Sequence, residues 1–229
     1  MNTERIDFDL PFRDRSEAGW LLAARLRGYA DHPNAVVLAI PRGGVPVGAE
    51  IAAALHLPFF VFAVRKLGVP GREELAMGAI TSTGKTLINH AVTGILHISA
   101  REIELEAERE RRELERRARL YSRGWPAPTV KGKLVILTDD GVATGSTILL
   151  AAQELRAEGA AYIIVAAPVA AAETVSQLHQ VANEVVYLAT PDPFVAVGQW
   201  YEDFHQIADR EVCATLDRLH ERTREFQTA

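Results

Sequence analysis

Among its 229 residues the chain has a single cysteine, Cys213. That excludes an intrachain disulfide and a multi-cysteine metal site, and it fits a protein of the reducing cytoplasm. No apolar run approaches the roughly 20 residues a membrane-spanning helix needs, so no membrane association is expected. The first residues, Met1 to Asp7, lack the basic start and apolar stretch of a signal peptide. Positive charge is also scarce: 25 Lys and Arg face 30 Asp and Glu, a formal charge of −5. That argues against a general nucleic-acid-binding surface. The seven histidines are scattered with no metal-ligand spacing, and His56 and His179 read as packing or surface residues. No Gly-x-Ser-x-Gly elbow anchors a serine hydrolase, and there is no internal repeat or low-complexity linker. What remains is an ordinary globular composition, 48% hydrophobic and 24% charged, long enough for one domain with an appendage.

The most informative stretch runs from Leu134 to Thr147. Leu134-Val135-Ile136-Leu137 reads as a buried strand whose end carries two adjacent carboxylates, Asp139 and Asp140. Gly141-Val142-Ala143-Thr144-Gly145-Ser146-Thr147 follows as a turn of small and hydroxyl residues, and Ile148 to Leu155 reads as an amphipathic helix. Such a turn leaves backbone N–H groups free at a helix N-terminus, where a phosphate binds. Carboxylates one turn away can hold Mg²⁺ or accept hydrogen bonds from sugar hydroxyls. Together they point to a sugar-phosphate site.

The rest of the chain alternates strand and helix. A helix is expected over 16–29, with Ser16 as N-cap. Ala35 to Ile40 is a strand buried on both faces, Pro41-Arg42-Gly43-Gly44 a turn, Val47 to Leu55 a helix, and Phe59 to Val64 a second strand. This βαβ order implies a parallel sheet. Met77 to Thr81 and Thr86 to Asn89 read as a hairpin around Ser82-Thr83-Gly84-Lys85. Residues 79–86 also satisfy a permissive P-loop pattern, but a strand and not a helix is expected after the Gly-Lys turn. Residues 99–123 read as an inserted charged helix, opened by a Ser99/Glu102 capping box and bearing a narrow apolar stripe of Ile103, Ala107, Leu114, Ala118 and Tyr121. Its alternating charges suit a salt-bridged surface helix, with a dimer arm or active-site hood as the alternative, and no second core is expected there. Strand 133–138, helix 146–158, strand 161–167, helix 171–182 and strand 184–189 follow. A Pro-rich hood segment, 190–208, precedes a final helix starting after Asp209. The expected fold is one doubly wound α/β domain over 1–229, with a central parallel sheet of about five strands, a small hood and the inserted helix.

The 134–147 segment resembles the ribosyl-pyrophosphate-binding motif of type I phosphoribosyltransferases. Pro41-Arg42-Gly43-Gly44 resembles that family's pyrophosphate loop, and Arg65-Lys66-Leu67-Gly68 the start of its mobile loop. The likeness can be followed over roughly residues 12–205, with the 99–123 helix as the departure. It implies transfer of a phosphoribosyl group from 5-phosphoribosyl 1-pyrophosphate to a nucleobase or related nitrogen acceptor, with release of pyrophosphate. Ala143, Thr144, Gly145, Ser146 and Thr147 would hold the 5-phosphate. Asp139 and Asp140 would bind the ribose hydroxyls and Mg²⁺, directly or through water. Arg42, Gly43, Gly44, Arg65 and Lys66 would take the pyrophosphate. Residues 68–77, rich in Gly and Pro, read as a loop able to close over the site, with Lys66 and Glu73 or Glu74 in catalytic roles. A homodimer in the cytoplasm, acting on small molecules, is the habit the resemblance implies.

The acceptor signals point two ways. Ala143 stands where the 6-oxopurine branch has an acidic residue, which is similar to the adenine branch. Yet Pro191 to Gly198 followed by Asp203-Phe204 looks like the 6-oxopurine hood, with Phe194, Trp200 and Asp203 as candidate base-binding residues. A non-catalytic regulator that senses phosphoribosyl pyrophosphate or a nucleotide through the same pocket is the alternative function.

Overall fold

The computed structural model describes residues 8–81, 84–122 and 128–228. Five strands, β1 (Ala35–Ala39), β2 (Phe59–Val61), β6 (Leu134–Thr138), β7 (Tyr162–Val169) and β8 (Glu184–Ala189), form one sheet. All pair in parallel in the order β2-β1-β6-β7-β8. Helices lie on both faces, as the doubly wound reading requires. Val37, Ala39, Ile136, Ile164 and Ala166 face one layer, made by α1 (Arg15–Arg25), α2 (Gly44–Leu55) and α7 (Asp209–Thr228). Their neighbours Val36, Leu38, Val135, Leu137, Ile163 and Val165 face α5 (Ser146–Ala157) and α6 (Ala172–Val181). Alternation of side chains along each strand is what sorts them, and burial on both faces is why these strands read as unbroken apolar runs.

Several expected boundaries move. The N-cap of α1 is Asp14, whose carboxylate accepts from Glu17 N at 2.8 Å, and the helix gives way to a 3₁₀ turn at Arg27–Tyr29. Helix α2 starts at Gly44, three residues early, so the turn after β1 is only Pro41 to Gly43. Strand β2 stops at Val61, because the chain leaves the sheet and begins a second, antiparallel one. That sheet is β3 (Val64–Val69), β4 (Arg72–Thr81) and β5 (Thr86–Ile88). The segment 68–77, expected to be a loop, is therefore mostly the β3–β4 hairpin. Its Gly and Pro serve a two-residue turn at Pro70-Gly71, a pair suited to a type II turn. The expected β4–β5 hairpin forms, with strand and not helix after Lys85, so the P-loop pattern has no P-loop structure; Ser82 and Thr83 lie outside the described residues.

After a short helix α3 (His90–Ile95), the inserted helix α4 spans Ala100–Ser122. Its capping box forms as expected: Ser99 N donates to Glu102 Oε2 at 2.8 Å and Glu102 N to Ser99 Oγ at 3.3 Å. Residues 123–127, which follow it, lie outside the described ones. Contrary to expectation, α4 does share a small core of its own. Ala107 and Leu114 pack with Leu67, Val69, Met77 and Ile80 of the antiparallel sheet. The narrow stripe is enough because its partner is this small sheet, not the main one. Tyr121 instead joins the main core and donates to Asp209 Oδ1 at 2.6 Å. Among the described residues, no helix is long and apolar enough to cross a membrane.

Candidate functional site

Strand order reverses between β1 and β6, and ligands of open α/β sheets bind in the crevice beyond the strand ends at such a point. Here that crevice receives Pro41-Arg42-Gly43 from β1 and Asp139-Asp140 from β6. The two are stitched by Ile40 N donating to Thr138 O at 2.9 Å. The glycines let them touch. A Cβ on Gly43 would sit 2.0 Å from Asp140 Oδ2, and one on Gly44 would sit 2.8 Å from Thr138 O. Their first task is to admit the acidic couplet against the turn.

The two aspartates differ in their partners. Asp139 Oδ1 accepts from Asp140 N at 2.9 Å. Burial, and then the Asp140 charge, push the Asp139 carboxyl well above the usual carboxylate range. Burial also raises Asp140, whose side chain is 13% exposed, but the Arg15 guanidinium pulls it back. Arg15 Nε donates to Asp140 Oδ2 at 2.8 Å and Nη1 to His205 O at 3.0 Å. The guanidinium lies 3.8 Å from the Phe204 ring centroid and is only 7% exposed. Tyr201 Oη donates to Asp140 O at 2.5 Å, and burial keeps that phenol protonated far above its ordinary range. Neither Arg15 nor Tyr201 is a candidate from sequence. They lie 125 and 61 residues from Asp140, and no local pattern marks them.

Beyond the couplet, Ala143 to Thr147 curls around a cavity of about 170 Å³, lined also by Asp139, Gly141, Val142, Ile148 and Val197. Gly145 turns the chain into α5 with φ of +73°. A side chain there would also meet Thr174 Cγ2 at 2.4 Å. From α6, Thr174 Oγ1 donates to Ala143 O at 2.5 Å. Val142 is pinned on both sides, with its N donating to Val169 O and its O accepting from Ala171 N, both at 2.8 Å. The first N–H groups of α5 have no intrahelical acceptor, as at any helix start. A braced loop therefore gathers these N–H groups with the Thr144, Ser146 and Thr147 residues around the cavity, an arrangement with the chemistry to receive an anion.

A second cavity, about 370 Å³, adjoins it. Pro41, Asp139 and Thr147 form its floor, Arg65, Lys66, Gly68 and Glu73 come from the β3–β4 hairpin, and Glu106, Arg109, Glu110 and Arg117 come from α4. The inserted helix is thus a wall of the site as well as a charged surface. Arg65 Nε donates to Glu110, and Arg109 pairs with Glu106 at 2.7 Å and with Glu73, itself 72% exposed, at 3.6 Å. Arg42 points elsewhere, its Nη1 lying 4.0 Å from Asp209 Oδ1. Phe194 and Trp200 pack on one another at 6.2 Å against the main core, and Asp203 bonds His205 at 3.0 Å. None of these three lines either cavity; from the hood, Val197 does. Sequence reasoning missed all four α4 residues; the available signal was spacing, since Glu110 lies three residues from Ala107 and four from Leu114, and Arg117 three from Leu114 and four from Tyr121.

A family model described as "Phosphoribosyl transferase domain" matches residues 18–199. The chain belongs to that family. Two curated relatives, from Mycobacterium tuberculosis strains CDC 1551 and H37Rv, are named "Putative phosphoribosyl transferase" and are 43% identical over 209 residues. The match covers 91% of this chain but 47% of theirs, so the chain spans about half the length of those relatives. The crystal structure of TT1426 from Thermus thermophilus is 40% identical, with a TM-score of 0.75, over 92% of this chain and 99% of that one.

Proposed function

We propose that this domain transfers the phosphoribosyl group of 5-phosphoribosyl 1-pyrophosphate to a nitrogenous acceptor, a nucleobase or related ring, and releases pyrophosphate. The observation that carries this reading is that Asp139 and Thr147 line both cavities. A molecule with a phosphate at one end and a pyrophosphate at the other would straddle them, its pentose over the couplet. The 5-phosphate would take the N–H groups and hydroxyls of Ala143 to Thr147. The pyrophosphate would lie along the turn of Pro41, Gly43 and Gly44, facing Arg65 and Lys66, with Arg42 swinging from Asp209 to join them.

In the reaction the bond from the anomeric carbon to pyrophosphate oxygen breaks, and the acceptor nitrogen supplies the electron pair of the new C–N bond. The acceptor's proton passes to a base, for which Glu73 on the hairpin is the candidate. Asp139 and Asp140 orient the ribose hydroxyls, and the Asp140 carboxylate, held beside Arg15, stabilises positive charge developing on the sugar. Among the described residues, no group of three or more His, Cys, Asp or Glu could hold a metal alone. Two carboxylates, substrate oxygens and retained waters nevertheless suit Mg²⁺, which when bound would neutralise charge on the leaving group. Phe194, Trp200 and Asp203 remain the proposed base-side residues of the hood.

The test is pyrophosphate release from the phosphoribosyl donor with Mg²⁺ across a panel of bases, with Asp139→Asn as control. Release with at least one base, lost in the variant, is the expected result. Tight donor binding without turnover for any base would replace the transferase with a sensor built on the same pocket.

A further inference from the structure

We propose that Glu110, on the inserted helix, sets the charge of the pyrophosphate pocket, neutralising Arg65 so that the leaving group is held weakly enough to depart. The inference rests on the assignment of the larger cavity to pyrophosphate. Glu110 sits in the apolar stripe of α4, between Ala107 and Leu114, with its side chain 8% exposed. An apolar residue there would pack against the hairpin with no desolvation cost, and replacing a buried ion pair by well-packed apolar groups is often neutral or stabilising. The carboxylate is therefore poorly explained by stability. What it does touch is Arg65, through Nε, and Arg109 Nη2 at 3.6 Å. Arg65 lines the cavity beside Lys66 and Asp139.

A pocket meant only to bind a polyanion tightly would keep carboxylates out. This one takes Glu106 and Glu110 from the same helix face, and both pair with its arginines. A buried negative charge beside a pyrophosphate site repels the ligand through a medium of low effective dielectric, where one charge within several ångströms changes affinity substantially. Glu110 leaves the guanidinium in place but cancels most of its field.

Calorimetric titration of the whole chain with inorganic pyrophosphate, and separately with ribose 5-phosphate, tests this. Glu110→Gln keeps an acceptor for Arg65 Nε and removes the charge. It is expected to tighten pyrophosphate binding about tenfold at low salt, with the gain shrinking as salt screens it. Ribose 5-phosphate binding should stay unchanged. Glu108→Gln removes the same charge from the outer face of α4, where Glu108 pairs with Arg111 and Arg112, and should leave pyrophosphate binding as it was. If the Gln variant unfolds, Glu110→Leu serves instead, with the same expected tightening. Unchanged or weaker pyrophosphate binding would overturn the proposal, as would equal tightening by Glu108→Gln. Failure of the unmodified chain to bind ribose 5-phosphate would sink the underlying sugar-phosphate reading, and this one with it.

Discussion

The corner where β6 turns into α5 holds its groups by burial and backbone, whereas the hairpin and α4 across the cavity hold theirs by pairing long side chains. In the corner, Arg15, Asp140 and Tyr201 are packed away from water, and Thr174 braces the turn at Ala143 from a neighbouring helix. On the facing wall, Arg109, Glu73, Arg116 and Glu113 form exposed or half-exposed pairs. Pre-organised donors are worth most when they need not move to meet charge. Flexible ion pairs cost little to rearrange and are screened by salt. The molecule thus joins a stiff corner around the couplet to an adjustable wall across the cavity from it.

The largest effect should come from breaking the stiff side. Asp140→Asn leaves the Arg15 guanidinium buried without its counter-charge, and loss of one partner of a buried pair costs about 3–5 kcal/mol. Urea unfolding should show that loss, and a change under about 1 kcal/mol would mean Arg15 is not held by this pair. Next, Gly145→Val forces a branched side chain into a left-handed position already crowded by Thr174. Ribose 5-phosphate affinity should fall on the order of 100-fold, as when reacting groups are displaced by an ångström.

Asp139→Asn sharpens the comparison within the corner. A carboxyl whose folded pKa is raised keeps its proton where the unfolded chain has lost it, so stability erodes as pH climbs from the ordinary carboxylate value to the raised one. Asparagine can still accept from Asp140 N but cannot ionise. In EDTA at neutral pH its melting temperature should exceed that of the parent by roughly 2–4 °C, the shift of about 1 kcal/mol in a domain this size. Donor binding should be lost. A lower melting temperature would contradict the assigned cause of the shift.

The facing wall should answer pH in the opposite sense, and weakly. Hydrogen bonding from Arg116, reinforced by Arg117, lowers Glu113 to about 2. Its contribution is therefore present above the ordinary glutamate range and fades as pH falls towards about 2. Because the pairs are solvated, Glu113→Gln should cost only about 0.5 kcal/mol, and less in high salt. A cost several times larger, indifferent to salt, would make this wall as stiff as the corner.

The parallel sheet, its flanking helices and the capping box of α4 were legible because each rests on local signals: two-faced apolar runs, helical periodicity, Ser99 with Glu102. The strand, the acidic couplet at its end and the turn into α5 were legible for the same reason, lying within one fourteen-residue stretch. Illegible parts depend on partners far away in the chain. Gly43 and Gly44 read as a turn, yet their lack of side chains answers to Asp140 and Thr138. Gly68 to Met77 reads as a loop because Gly and Pro signal turns without saying that paired strands flank them. Arg15 carries no mark of its role, since its meaning is supplied by Asp140 and Phe204. Glu110 was passed over as one charge among many on a surface helix, because what it faces is set by the packing of α4 on the hairpin.

The most direct measurement is a crystal structure of the chain with 5-phosphoribosyl 1-pyrophosphate and Mg²⁺. It should place the 5-phosphate on the N–H groups of Thr144 to Thr147, the ribose hydroxyls on Asp139 and Asp140, and the pyrophosphate between the Pro41 turn and Arg65. A donor bound with its phosphate outside that loop, or with the pentose away from the two aspartates, would contradict the account.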